Sequence, residues 1–103
     1  MPQWETVARL VDLPDGESLL VQYDGRGVAI FREGDTLYAI DDRCPHAGAS
    51  LGGGHFEAGV VTCPLHAWAF RLADGTCVGS RRIKTRAYPL RVEAGEIQLA
   101  QPA

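Results

Sequence analysis

The sequence predicts an all-β domain carrying an insert of different character around residues 43–80. Three observations lead there. Short runs rich in Val, Leu and Ile recur along the chain. Asp-Gly and Gly-Asp pairs separate them, and Gly supplies the positive φ that tight turns need. No window of 11 residues carries a sustained apolar stripe at helical spacing.

The elements follow in order. Val7–Val11 and Leu19–Tyr23 are strand-like, with the turn signal Leu13-Pro14-Asp15-Gly16-Glu17 between them. Tyr23-Asp24-Gly25-Arg26-Gly27 repeats that signal before Val28-Ala29-Ile30-Phe31. Glu33-Gly34-Asp35 then turns the chain into Thr36–Ile40. The last three strands read as an antiparallel meander. From Cys44 to Gly54 the chain is small residues, Pro, His and Gly, too irregular for a strand. Val60–Thr62 and Ala67–Leu72 are strand-like again, followed by the turn Ala73-Asp74-Gly75-Thr76. Glu93-Ala94-Gly95-Glu96 joins a strand over Ala87–Val92 to one over Ile97–Ala100. No repeat or linker divides the chain, so residues 1–103 read as one domain.

Size and composition agree. A chain of 103 residues is 46% hydrophobic and 22% charged, which is average for a globular domain and excludes disorder and coiled coil. No apolar run approaches the roughly 20 residues that cross a bilayer. Met1–Leu10 alternates polar and apolar residues without a signal peptide's apolar stretch. Three cysteines make a poor disulfide framework, so a cytoplasmic location is expected and metal binding is the better use of them. A net charge of −3 argues against nucleic acid. The charge is uneven: residues 1–80 carry five Arg against eleven acids, while residues 81–103 carry five Lys and Arg against two.

Two loops of matching design carry the chemistry. Cys44-Pro45-His46 and Cys63-Pro64-Leu65-His66 each offer one thiolate and one imidazole, with sixteen residues between His46 and Cys63. Such a set could hold one tetrahedral zinc, or a two-iron cluster with thiolates on one iron and imidazoles on the other. One residue between Cys44 and His46 is cramped for a single tetrahedral ion, because close zinc ligands usually stand two to four residues apart. Two neighbouring irons relieve that crowding.

This pattern resembles the Rieske [2Fe–2S] family, in which His₂ replaces Cys₂ on one iron. The resemblance extends to Tyr38-Ala39-Ile40, Gly59-Val60-Val61, Trp68-Ala69-Phe70, Asp74-Gly75 and Tyr88-Pro89-Leu90-Arg91-Val92. It is nearest to soluble Rieske ferredoxins of aromatic-ring dioxygenases and to the small subunit of assimilatory nitrite reductase. It implies three antiparallel sheets, with a cluster-binding subdomain at about residues 43–80 inserted in a β-sandwich base. It implies one 2Fe–2S cluster held by Cys44, His46, Cys63 and His66, and no catalytic site. The function it implies is one-electron transfer, from a flavin or nicotinamide-linked reductase to an oxygenase or reductase, by a chain that is monomeric when free. The competing readings are a subunit fixed in a nitrite reductase-like enzyme and a structural zinc domain.

Other residues read more plainly. His55 matches no ligand position and is expected in a loop, Cys77 reads as a structural thiol, and Trp68 and Phe70 as core. The tract from Arg81 to Arg86 reads as a solvated face, with partner docking as the second reading. Membrane-complex members of the family carry an extra Cys in each loop, joined by a disulfide. Ala49 and Leu65 stand there in this chain. Those members also carry Ser and Tyr hydroxyls toward the cluster where this chain has Trp68 and Phe70. A Pro-rich cover for the cluster gives way here to Gly79-Ser80-Arg81-Arg82.

Overall fold

The structure, a computed structural model, describes residues 3–45, 48–65 and 68–102, with Arg81 described by its backbone alone. Its organising element is the run Val28-Ala29-Ile30-Phe31, whose four side chains are all fully buried. They lie in β3 (Arg26–Glu33), between β2 (Ser18–Tyr23) and β4 (Thr36–Asp41) in an antiparallel meander. A strand whose successive residues are all apolar must be covered on both faces. Alternation then divides the run. Val28 and Ile30 point into one core with Leu13, Tyr23, Tyr88, Ile97 and Leu99. Ala29 and Phe31 point into a second core with Cys44, Leu51, Val61, Cys63 and Phe70.

The first core is closed by a second sheet. β1 (Glu5–Arg9) pairs with β11 (Glu96–Leu99), and β11 with β10 (Leu90–Glu93), all antiparallel. The second core is closed by a third sheet of five short strands in sequence order: β5 (His55–Glu57), β6 (Val60–Thr62), β7 (Ala69–Arg71), β8 (Thr76–Cys77) and β9 (Ser80–Lys84). Three antiparallel sheets, with the third inserted between strands of the other two, are the architecture expected. Among the described residues the only helical pieces are two three-residue 3-10 turns, Leu10–Asp12 and Leu51–Gly53.

Several expected boundaries move. The first strand ends at Arg9 rather than Val11: the Leu10 N–H bonds the Gly95 carbonyl, Leu13 closes a 3-10 turn on Leu10, and Val11 is left 73% exposed. The strand expected over Ala87–Val92 begins at Leu90. Ala87 bridges Ile40 and the Tyr88 N–H bonds the Ala39 carbonyl, so this segment serves the meander before Pro89 and the terminal sheet after it. Pro89 has no N–H to donate, which suits the change of partner. β7 is shorter than Ala67–Leu72, of which Ala67 lies outside the described residues. His55 is in a strand, not a loop: it pairs with Thr62 at the start of β5.

Polar contacts fasten the insert to the meander. The Ser18 hydroxyl donates to the Gly52 carbonyl (2.7 Å), and the Gly59 N–H donates to Glu33 Oε1 (2.7 Å). The Phe31 and Phe56 rings meet edge to face at 4.9 Å. On the other side, Tyr88 lies edge-on to Tyr23 and donates its hydroxyl to the Asp41 carboxylate, which Arg26 also approaches at 3.4 Å.

Burial, then the bond to Asp41 and its charge, hold the Tyr88 phenol well above its ordinary value of 10.0. The folded state therefore keeps a proton that the unfolded chain releases near pH 10. The stability this contributes is full below pH 10 and declines as pH rises above it. Tyr88→Phe is expected to cost about 1–3 kcal/mol at pH 7 through the lost bond to a charged acceptor. It is also expected to flatten the fall in stability between about pH 10 and 12. Urea unfolding of both proteins across that range measures it, and parallel pH curves would refute the role of Tyr88.

Candidate metal centre

Both cysteines of the expected ligand set are buried, each 1% exposed, in the same apolar core beside Leu51, Val61, Phe70 and Leu72. They reach it on two loops at one end of the five-stranded sheet. β6 runs into Cys63 and β7 returns from Trp68, so the second loop lies at the Thr62–Ala69 end. β5 begins at that same end, where His55 faces Thr62, and the first loop feeds it through Gly54.

Each loop is closed by its own backbone. The Cys44 N–H donates to the Ala49 carbonyl (2.8 Å) and the Cys44 carbonyl accepts from the Gly48 N–H (2.8 Å). The return needs Gly48 in the left-handed region, at φ 72°, which glycine adopts without penalty. Below it, Asp42 clamps the loop base: Oδ1 accepts from the Ser50 hydroxyl and from the Gly52 N–H, both at 2.8 Å, while its carbonyl accepts from Leu51 N–H at 2.6 Å. In the second loop the Cys63 N–H donates to the Trp68 carbonyl at 2.6 Å. Both thiols are therefore fixed by the chain that carries them.

The two loops also meet. A Cβ built on Gly54 would stand 2.2 Å from the Thr62 carbonyl oxygen, far inside contact distance. Thr62 is the residue before Cys63, so a missing side chain in one loop lets it press on the backbone of the other.

His46 and His66, the imidazole half of the set, lie outside the described residues. The described half fits a soft-metal cluster. Two thiols with anchored backbones in an apolar core are the donors that iron–sulfur chemistry uses. Cys77 shares the core but belongs to β8, opposite Phe70, with its Sγ 3.5 Å from the Val78 carbonyl. Phe70 is fully buried and Trp68 packs on the same core, as expected. His55 is exposed, with Nε2 3.4 Å from Glu57. Sequence reasoning missed Asp42. Its signal was an Asp eight residues before a Ser in a glycine-rich loop, which many turns share.

Comparison with known proteins settles the family. The model of the Rieske [2Fe-2S] domain matches residues 3–94. The chain belongs to the Rieske [2Fe–2S] domain family. Its cofactor is accordingly a Rieske-type 2Fe–2S cluster, which decides against the zinc reading. The 3-phenylpropionate/cinnamic acid dioxygenase ferredoxin subunit of Escherichia coli K12 is 38% identical over 96 residues, covering 90% of this chain and 89% of that one. Among solved structures, the ferredoxin of carbazole 1,9a-dioxygenase from Nocardioides aromaticivorans IC177 superposes with a TM-score of 0.88 at 34% identity, covering 99% of both chains. A Mycobacterium tuberculosis chain held to be the small subunit of an NADH-dependent nitrite reductase superposes with a TM-score of 0.89 at 32% identity, covering 100% of this chain and 98% of that one.

The Gly54 contact gives this Rieske centre a specific weak point. Gly54→Ala is expected to destabilise the protein by about 1–3 kcal/mol and to make the cluster labile, because backbone must move. Gly53→Ala, where a Cβ meets nothing within 4 Å, is the control and should retain its cluster. Loss of visible absorbance during chelator challenge follows both, and equal rates would refute the role of the contact.

Proposed function

We propose that this chain is a one-electron carrier in which Cys44 and Cys63 hold one iron of the cluster and His46 and His66 the other. The observation that carries this reading is the pair of buried, backbone-anchored cysteines on two loops at one end of a sheet. The cluster, when bound, supplies a single reversible electron. The protein's part would be to hold it through Cys44, Cys63, His46 and His66 beside an apolar core. The loop tips suit that role. Pro45, Pro64 and Leu65 are exposed, Leu65 by 64%, while the cysteines beside them are sealed. We assign the chain no catalytic site of its own, because the ferredoxin relatives are electron-transfer components.

The relatives support the pathway class. Two of them are ferredoxins of aromatic-ring dioxygenases and match this chain almost end to end. We assign the chain a place between a flavin or nicotinamide-linked reductase and an oxygenase or reductase, in the cytoplasm, monomeric when free, with residues 1–103 forming one domain and the cluster in residues 43–80. The Mycobacterium tuberculosis neighbour favours a second reading, a subunit held within a nitrite reductase-like enzyme. Gel filtration of a lysate separates them: a carrier elutes near 11 kDa and a fixed subunit with a larger enzyme.

Freshly purified protein should contain about two irons and two acid-labile sulfides per chain. His46→Ala or His66→Ala should lose the cluster or leave it labile, and His→Cys at either position should keep one, since thiolate also ligates iron. One metal and no sulfide would sink the assignment. The midpoint potential is expected near the low end of the family, about −150 mV, because Trp68 and Phe70 bring no hydroxyl toward the cluster sulfurs. Voltammetry at pH 7 reads it, and a value above about +100 mV contradicts the argument.

A further inference from the structure

Beside the first cysteine loop the surface opens into a groove of about 930 Å³. It begins at Pro45, the neighbour of Cys44, and runs along the seam between the meander and the insert. Four cations line it: Arg26, Arg43, Lys84 and Arg86. They come from three distant parts of the sequence, so the contiguous tract Arg81–Arg86 contributes only two of them. Arg82 does not line the groove, and the side chain of Arg81 lies outside what the structure describes.

Two acids share the lining, Asp41 and Asp74, and both are already engaged. Asp41 accepts from the Tyr88 hydroxyl and lies 3.4 Å from Arg26. Asp74 Oδ1 accepts from the Thr76 hydroxyl (2.7 Å) and the Thr76 N–H (3.0 Å). Among the described residues, Arg43, Lys84 and Arg86 make no ion pair, and all three are exposed. Four cations against two acids leave the groove at +2 in a chain of net charge −3. Arg43 also lies over the ligand loop, its guanidinium 3.6 Å from where a Cβ on Gly48 would stand.

We propose that this groove seats a carboxylate-rich segment of the redox protein partner and so aligns that partner with the first cysteine loop. The proposal rests on the carrier reading and adds the chemistry of the docking surface. The occupant is an extended acidic segment because the cations are spread along an open groove. A small anion would need donors converging on one point. Its charge is decided by the sign reversal: an acidic segment is attracted here and repelled by the remaining surface, which orients the encounter.

The test uses reduced holoprotein in stopped flow, with hexacyanoferrate(III) as an anionic one-electron oxidant and hexaamminecobalt(III) as a cationic one. Lys84→Gln/Arg86→Gln is compared with Arg9→Gln/Arg91→Gln, which removes the same charge outside the groove. At about 10 mM salt the groove variant should react at least about threefold more slowly with hexacyanoferrate and faster with the cobalt complex than the control variant does. The difference should collapse at about 300 mM salt. A hexaglutamate peptide should slow hexacyanoferrate oxidation of the wild type and not of the groove variant. Should the double variant lose its cluster absorbance, Lys84→Gln alone, at an exposed strand position, must reproduce the ordering. Equal slowing of both variants, or no effect of the peptide on the wild type, overturns the groove. Failure of reduced wild type to pass an electron to either oxidant overturns the carrier reading instead.

Discussion

Everything in this molecule hangs on one strand that must be covered on both sides. Val28, Ala29, Ile30 and Phe31 have no exposed surface, and burying four consecutive apolar side chains requires two separate layers of chain. The terminal sheet supplies one layer and the five-stranded insert the other. The insert cannot drift from the base without uncovering Ala29 and Phe31. That is how strands of two or three residues, too short to be stable alone, hold a cofactor pocket in place.

Within the insert, geometry is set by backbone more than by side chains. Cys44 and Cys63 each donate their N–H inside their own loop, Asp42 satisfies three donors at the loop base, and Gly48 makes the return that brings Ala49 opposite Cys44. Paired amides at two buried residues are costly to open, which holds Cys44 and Cys63 in place. For a group that gains and loses charge, a rigid and dry surrounding keeps reorganisation small. The exposed Leu65 and the buried Cys63 are two outcomes of the same hairpin closure between Cys63 and Trp68.

The meander and the cysteine loops were legible because their signals are local. Asp-Gly turns fix hairpins, alternation fixes faces, and Cys-x-His with Cys-x-x-His marks a candidate donor set at a spacing few other chemistries use. What the sequence hid depended on partners far along the chain. β8 is two residues long, and β9 reads Ser-Arg-Arg-Ile-Lys, a solvated basic tract until Ile83 is seen packing on the core. Ala87 and Tyr88 look like the start of the following strand, and only the meander's edge shows that they belong to it. Asp42 carries no motif at all. Its role arises because Gly27, Ser50 and Gly52 converge on it.

The pairing of β1 with β11 has a bearing on how the chain folds. Glu5 faces Leu99, and Thr6 bonds Glu96 across 90 residues of sequence. Closing a loop of that length is entropically expensive and comes late, whereas β2, β3 and β4 join through neighbouring hairpins. During synthesis the meander can form as soon as it leaves the ribosome, with both apolar faces of β3 still bare. The face carrying Val28 and Ile30 stays bare until β10 and β11 arrive, so the base of the molecule is finished only after the five-stranded insert has already emerged.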